Sequence, residues 1–123
     1  MSRGTRLKKR ILSISYDKVL LLTRQALLER EGFEVRSAYG FAEAMEACQG
    51  HDDFDVVIMG HSMPENDKTA LVTALRSKCD APLVSLFKRG DPAMPQADYS
   101  VDAHEGPKAL LEAARKASQA KRG

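Results

Sequence analysis

The sequence predicts an α/β fold in which a parallel sheet carries helices on both faces. Three observations lead there. Short apolar runs of strand length alternate with segments of helical periodicity from one end of the chain to the other. Residues 54–59 (FDVVIM) are nearly unbroken hydrophobic sequence, which marks a strand buried on both faces. The chain has 123 residues, 43% hydrophobic and 29% charged, enough to bury one core and unlike a disordered tail or a collagen-like or mucin-like segment.

Residues 10–15 (RILSIS), with Ile11, Leu12 and Ile14, read as the first strand. A helix over 18–31 follows, with Val19, Leu22 and Ala26 in one row and Leu20, Leu27 and Leu28 in a second. Asp17 caps its start by accepting from the free amides of the first turn, and Gly32 ends it. Residues 33–37 supply the second strand. Phe41, Ala44, Met45 and Cys48 recur at i, i+3, i+4 and i+7, so they share one face of a second helix closed by Gly50, and Cys48 reads as core filling. The run at 54–59 is the central strand. After a turn at 63–67 comes a third helix over 68–77, with Leu71, Ala74 and Leu75 facing inward. Residues 82–87 (PLVSLF) form the fourth strand. The next stretch, 88–96, holds Gly90, Pro92 and Pro95, too short and too broken by proline for an ordinary crossover helix. Residues 99–102 make a short fifth strand. The last helix, over 108–116, repeats Leu110, Ala113, Ala114 and Ala117 at helical spacing after Gly106 and Pro107.

No apolar run approaches the roughly 18–20 residues needed to cross a bilayer. Cys48 and Cys79 form no CxxC pair and have no histidine at zinc spacing, so they read as reduced thiols of a cytoplasmic protein; an exposed Cys79 beside Lys78 and Asp80 is weak evidence of redox sensing. The net charge of +2 conceals an asymmetry. Nine bases and no acid lie in residues 1–10 and 115–123, which leaves ten of the nineteen bases against all seventeen acids between them, a body of −7 with two basic ends. Short basic ends read as solubilising, and the alternative is contact with the phosphates of a nucleic acid.

Three segments carry a specific resemblance. ILSISYDKVLLLTRQALLEREGFEV, DFDVVIMGHSMPENDKTALVTALR and ADYSVDAHEGPKALLEAARKA, in that order and without internal gaps, are similar to the CheY-like receiver domain of response regulators. Met63-Pro64, with Asp67 three positions on, is the most diagnostic local piece. The resemblance implies a flavodoxin-like three-layer sandwich: a five-stranded parallel sheet in the order 2-1-3-4-5, with the fourth helix shortened or missing. On this reading residues 1–7 are a basic N-terminal tail, 8–117 the receiver-like domain and 118–123 a basic C-terminal tail. The site is expected at the carboxyl ends of the strands, where open α/β sheets place theirs.

The same resemblance locates five positions that do phosphoryl chemistry in the family. The two acids that hold Mg²⁺ match Ser15 and Tyr16, and the phospho-accepting aspartate matches Gly60. The hydroxyl residue that contacts the phosphoryl group matches Phe87, and the lysine after the fifth strand matches Ala103. Phosphoryl transfer needs a metal, an in-line nucleophile and a cation on the developing charge. The expectation is therefore a degenerate pocket, a pseudo-receiver that binds no Mg²⁺ and is not an enzyme, with Tyr16 and Phe87 filling the vacated space.

Substitutes nearby are weaker readings. Asp17 is spent as a cap, His61 follows a strand end and reads as packed or exposed on a loop, and His51 lies in a polar turn. His104 stands where the family has a proline. Three dispersed histidines give no HxxxH or HxH spacing, and no GxSxG, GxGxxG or GxxxxGK[ST] follows any strand. The expected function is a stand-alone, phosphorylation-independent receiver in two-component signalling, acting by protein–protein contact, with a homodimer as one form of that contact. The expected surface includes Lys88, Arg89, Met94, Tyr99 and Val101. The alternative is a nucleic-acid-associated protein that uses its basic termini.

Overall fold

The computed structural model describes residues 8–50, 52–78, 80–91 and 94–120. Strand β1 (Arg10–Ser15) leads into helix α1 (Lys18–Arg30), then β2 (Glu34–Tyr39), α2 (Gly40–Gln49), β3 (Val56–Met59), α3 (Glu65–Arg76), β4 (Leu83–Phe87) and β5 (Tyr99–Asp102). A 3-10 turn (Ala103–Glu105) and helix α4 (Pro107–Gln119) complete the described chain. The five strands are parallel and ordered β2-β1-β3-β4-β5, as the resemblance implies.

Alternation along each strand sorts side chains onto two faces. Leu12, Ile14, Val57, Met59 and Leu83 join the core under α2 and α3. Ile11, Val56, Ile58, Val84, Leu86 and Val101 join the core under α1 and α4, with Leu28, Leu110, Ala113, Ala114 and Ala117. All four residues of β3 are buried, as expected of the central strand. Cys48 is buried core filling, while His51 and Cys79 lie outside the described residues.

Several boundaries differ from the sequence reading, each for a local reason. The inward face of α1 is Leu21, Arg24 and Leu28, and Val19 and Leu22 are 72% and 56% exposed. Leucines stand almost all round this helix, so spacing alone does not choose its face. In α2 the buried residues are Ala44, Ala47 and Cys48; Phe41, in the first turn beyond edge strand β2, stays 38% exposed. Helix α3 begins three residues earlier than its apolar periodicity, because Pro64 presets the entry and Glu65 and Asp67 suit the positive end of the helix. Between β4 and β5 there is no helix among the described residues. Each earlier pair of sequence-adjacent strands is joined through a helix, whereas the described residues of this connection form a loop. Asp98 anchors that loop, accepting from the Leu83 amide at 2.7 Å and from Arg76, which also donates to the Ala81 carbonyl.

Candidate functional site at the carboxyl ends of the strands

The sheet brings Ser15, Gly60, Phe87 and Asp102 to one end because its strands are parallel and in register: Ile14 faces Met59, Met59 faces Ser85, and Phe87 faces Asp102. The Gly60 amide donates to the Ile14 carbonyl at 2.9 Å, extending the ladder one residue past β3.

Ser15 is almost wholly buried. Its hydroxyl donates to the Asp17 carbonyl at 3.1 Å and accepts from the Asp17 amide at 3.0 Å, closing the turn into α1. The Asp17 carboxylate accepts from the Leu20 amide at 3.1 Å, which is the capping role its position predicts. Tyr16 turns to the α2–α3 side, where it packs on the core and donates to the Asp67 carboxylate at 2.7 Å. Burial, the hydrogen bond and the negative charge of Asp67 all push its phenol well above the usual range.

The space beside Gly60 belongs to a residue the sequence reading passed over. A Cβ on Gly60 would lie 3.2 Å from Arg24 Nη1, 3.2 Å from the Ile14 carbonyl oxygen and 3.4 Å from Ser15 Oγ. Arg24 is only 8% exposed, and its Nη1 has no hydrogen-bond partner among the described residues. Burial lowers the pKa of the guanidinium, opposed by the charge of Asp17. The expected aromatic plug is therefore corrected: a cation, and not Tyr16 or Phe87, stands against Gly60. The signal was present in the spacing of Leu21, Arg24 and Leu28, but a charged residue on an apolar stripe is ordinarily read as belonging to the solvent face.

Phe87 and Ala103 line different cavities. Phe87 is half-buried beside Lys68 in a cavity of about 430 Å³. Ala103 borders a smaller one, about 210 Å³, that Arg24, Leu27, Val101 and Leu110 also line. His61 is half-buried, and its pKa is lowered by burial and by the charges of Arg24 and Lys88, with Asp91 and Asp17 opposing. His104 is exposed, its amide held by the Asp102 carboxylate at 2.9 Å. No group of three or more His, Cys, Asp or Glu is placed to hold a metal ion among the described residues. The oxygens nearest a Cβ at Gly60 are a hydroxyl engaged in a turn and a backbone carbonyl, and a guanidinium lies as close, a set unsuited to a hard divalent cation.

Of the expected contact surface, Lys88 and Arg89 are exposed, and Met94 and Tyr99 are half-buried. Val101 is corrected: at 6% exposure it faces the core under α1 and α4, as every second residue of a covered strand must. No helix is long and apolar enough to cross a membrane among the described residues.

No family model matches the chain, and no curated protein matches it. Solved structures do. A response regulator receiver domain from Methanospirillum hungatei is 22% identical with a TM-score of 0.76, over 90% of this chain and 94% of that one. A receiver protein from Sinorhizobium medicae is 18% identical with a TM-score of 0.78, over 94% and 98%. The response regulator TrrA from Thermotoga maritima, solved in complex with Mg²⁺ and BeF, is 26% identical with a TM-score of 0.73, over 89% and 98%. The architecture of this chain is that of the CheY-like response-regulator receiver domains.

Proposed function

We propose that this chain is a pseudo-receiver: a non-enzymatic module of two-component signalling that works by protein–protein contact without being phosphorylated. The observation that carries the reading is the pairing of Gly60 with Arg24. At the position matching the family's phospho-acceptor there is no side chain, and a buried guanidinium stands in the adjoining space. Ser15 and Tyr16, matching the Mg²⁺-binding acids, have their oxygens engaged with Asp17 and Asp67. A nucleophile, a metal and a catalytic cation on the developing charge are the components phosphoryl transfer draws on. The residues at the matching positions supply none of them.

Without a covalent switch, the message resides in the surface presented to a partner. The departure from an ordinary crossover between β4 and β5 puts the distinctive part of that surface at 88–96, with Lys88 and Arg89 exposed and Met94 and Tyr99 partly so. The test is incubation with acetyl phosphate and Mg²⁺ followed by intact-mass measurement. An unchanged mass is expected; gain of one phosphoryl group would overturn the reading.

A further inference from the structure

On the α3 side of the sheet, no helix between β4 and β5 covers the strands among the described residues. Leu83, Ser85 and Phe87 point to that face, and Ser100 is the register partner of Ser85 on β5. Among the described residues, Lys68, from the first turns of α3, and the loop residues Asp91, Met94 and Pro95 close over Ser85, Phe87 and Ser100, leaving the cavity of about 430 Å³. That volume lies within the roughly 300–1,000 Å³ of small-molecule sites.

Its polar groups are uncommitted. Lys68 is only 6% exposed, yet its ammonium makes no hydrogen bond and no ion pair among the described residues. The hydroxyls of Ser85 and Ser100 likewise have no hydrogen-bond partner among the described residues. Asp91 is no counter-ion for Lys68; its carboxylate accepts from the Lys88 amide at 2.8 Å. Lys68, Ser85 and Ser100 all line the cavity, so an anion bound there would meet a cation with no competing partner among the described residues.

We propose that this cavity binds a small monocarboxylic acid with an apolar body. The carboxylate pairs with Lys68 and accepts from Ser85 and Ser100, while the body lies against Phe87, Met94 and Pro95. A single cation, with Asp91 also on the wall, matches one negative charge and disfavours a phosphate dianion. The inference is independent of whether the chain can be phosphorylated.

The probe is 3-phenylpropanoate, titrated into the whole chain labelled with ¹⁵N, with the neutral 3-phenylpropanamide as its comparison. Saturable shifts centred on Lys68, Ser85, Met94 and Ser100 are expected, with the amide bound at least ~10-fold more weakly. Lys68→Met keeps the volume and removes the charge. It should retain the dispersed spectrum of the folded chain and lose at least ~10-fold in affinity for the acid, whereas Lys68→Arg keeps part of it. Equal affinity for acid and amide, undiminished binding by Lys68→Met, shifts centred on another site, or no binding at about 5 mM probe would overturn the proposal.

Discussion

The Tyr16 hydroxyl donates to the Asp67 carboxylate at 2.7 Å, tying the residue after β1 to the first turn of α3 across 51 positions of sequence. Both ends are only partly buried, so the bond contributes at the lower end of the roughly 1.5–3 kcal/mol assigned to hydrogen bonds with charged groups. Tyr16→Phe should therefore lower stability by about 1–2 kcal/mol in urea unfolding.

Its alkaline behaviour has a definite sign. The folded phenol titrates above its ordinary value near 10, so the unfolded chain releases the proton first. The contribution is complete below pH about 10 and is lost as pH rises above it. In wild-type protein, stability should fall above that pH, and Tyr16→Phe should flatten the decline. A phenolate absorbance titration in which Tyr16→Phe removes an early-ionising tyrosine would contradict this account.

Gly60 and Arg24 give a second prediction. A Cβ at position 60 would press on the Ile14 carbonyl and on the guanidinium, each at 3.2 Å, so Gly60→Ala should destabilise by about 1–2 kcal/mol. Gly60→Asp meets the same crowding but brings a carboxylate to an unpartnered Nη1. It should be the more stable of the two, by about 1 kcal/mol or more, and that advantage should vanish in an Arg24→Met background. Acetyl phosphate with Mg²⁺ should still add no mass to Gly60→Asp, since a restored carboxylate beside a guanidinium recovers no metal site.

These pairings explain how much of the molecule was readable from its sequence. Strand positions were legible because β3 is a continuous apolar run and β4 is apolar but for Ser85, and Gly90, Pro92 and Pro95 foretold that no helix stands between β4 and β5 among the described residues. The resemblance assigned the five matched positions but said nothing of their spatial roles. Nothing in the spacing says that Tyr16 turns toward Asp67, since a residue leaving a strand end has two sides to choose from. Nor does it say that Arg24 lies inward, because the leucines of α1 allow several apolar faces and tertiary packing selects one. Lys68 escaped notice for the same reason: a lysine at the start of a helix is ordinarily solvated.

His61 supplies an acid-side counterpart to Tyr16. Burial and the neighbouring charges of Arg24 and Lys88 depress its pKa in the folded chain, so on acidification the unfolded chain takes up the proton first. The associated stability is complete above the unfolded value near 6.5 and is lost as pH falls through the lower folded value. His61→Gln should remove part of the stability decline that sets in as pH falls below about 7, measured by thermal unfolding. A His61→Gln profile superimposable on wild type would show that the imidazole does not feel those cations.

Ser13 tests the interior of the sheet itself. Its hydroxyl is fully buried in β1, between Ser37 and Ile58 in register, and has no hydrogen-bond partner among the described residues. An unsatisfied buried hydroxyl costs about 1–3 kcal/mol, whereas the methyl group left by Ser13→Ala requires no partner and opens only the volume of one oxygen. The substitution should therefore raise stability, by about 1 kcal/mol after the small loss of packing. Urea midpoints of Ser13→Ala and wild type at unchanged slope give the comparison. A lowered midpoint would mean that the hydroxyl is satisfied in solution, with a water inside the sheet as its partner.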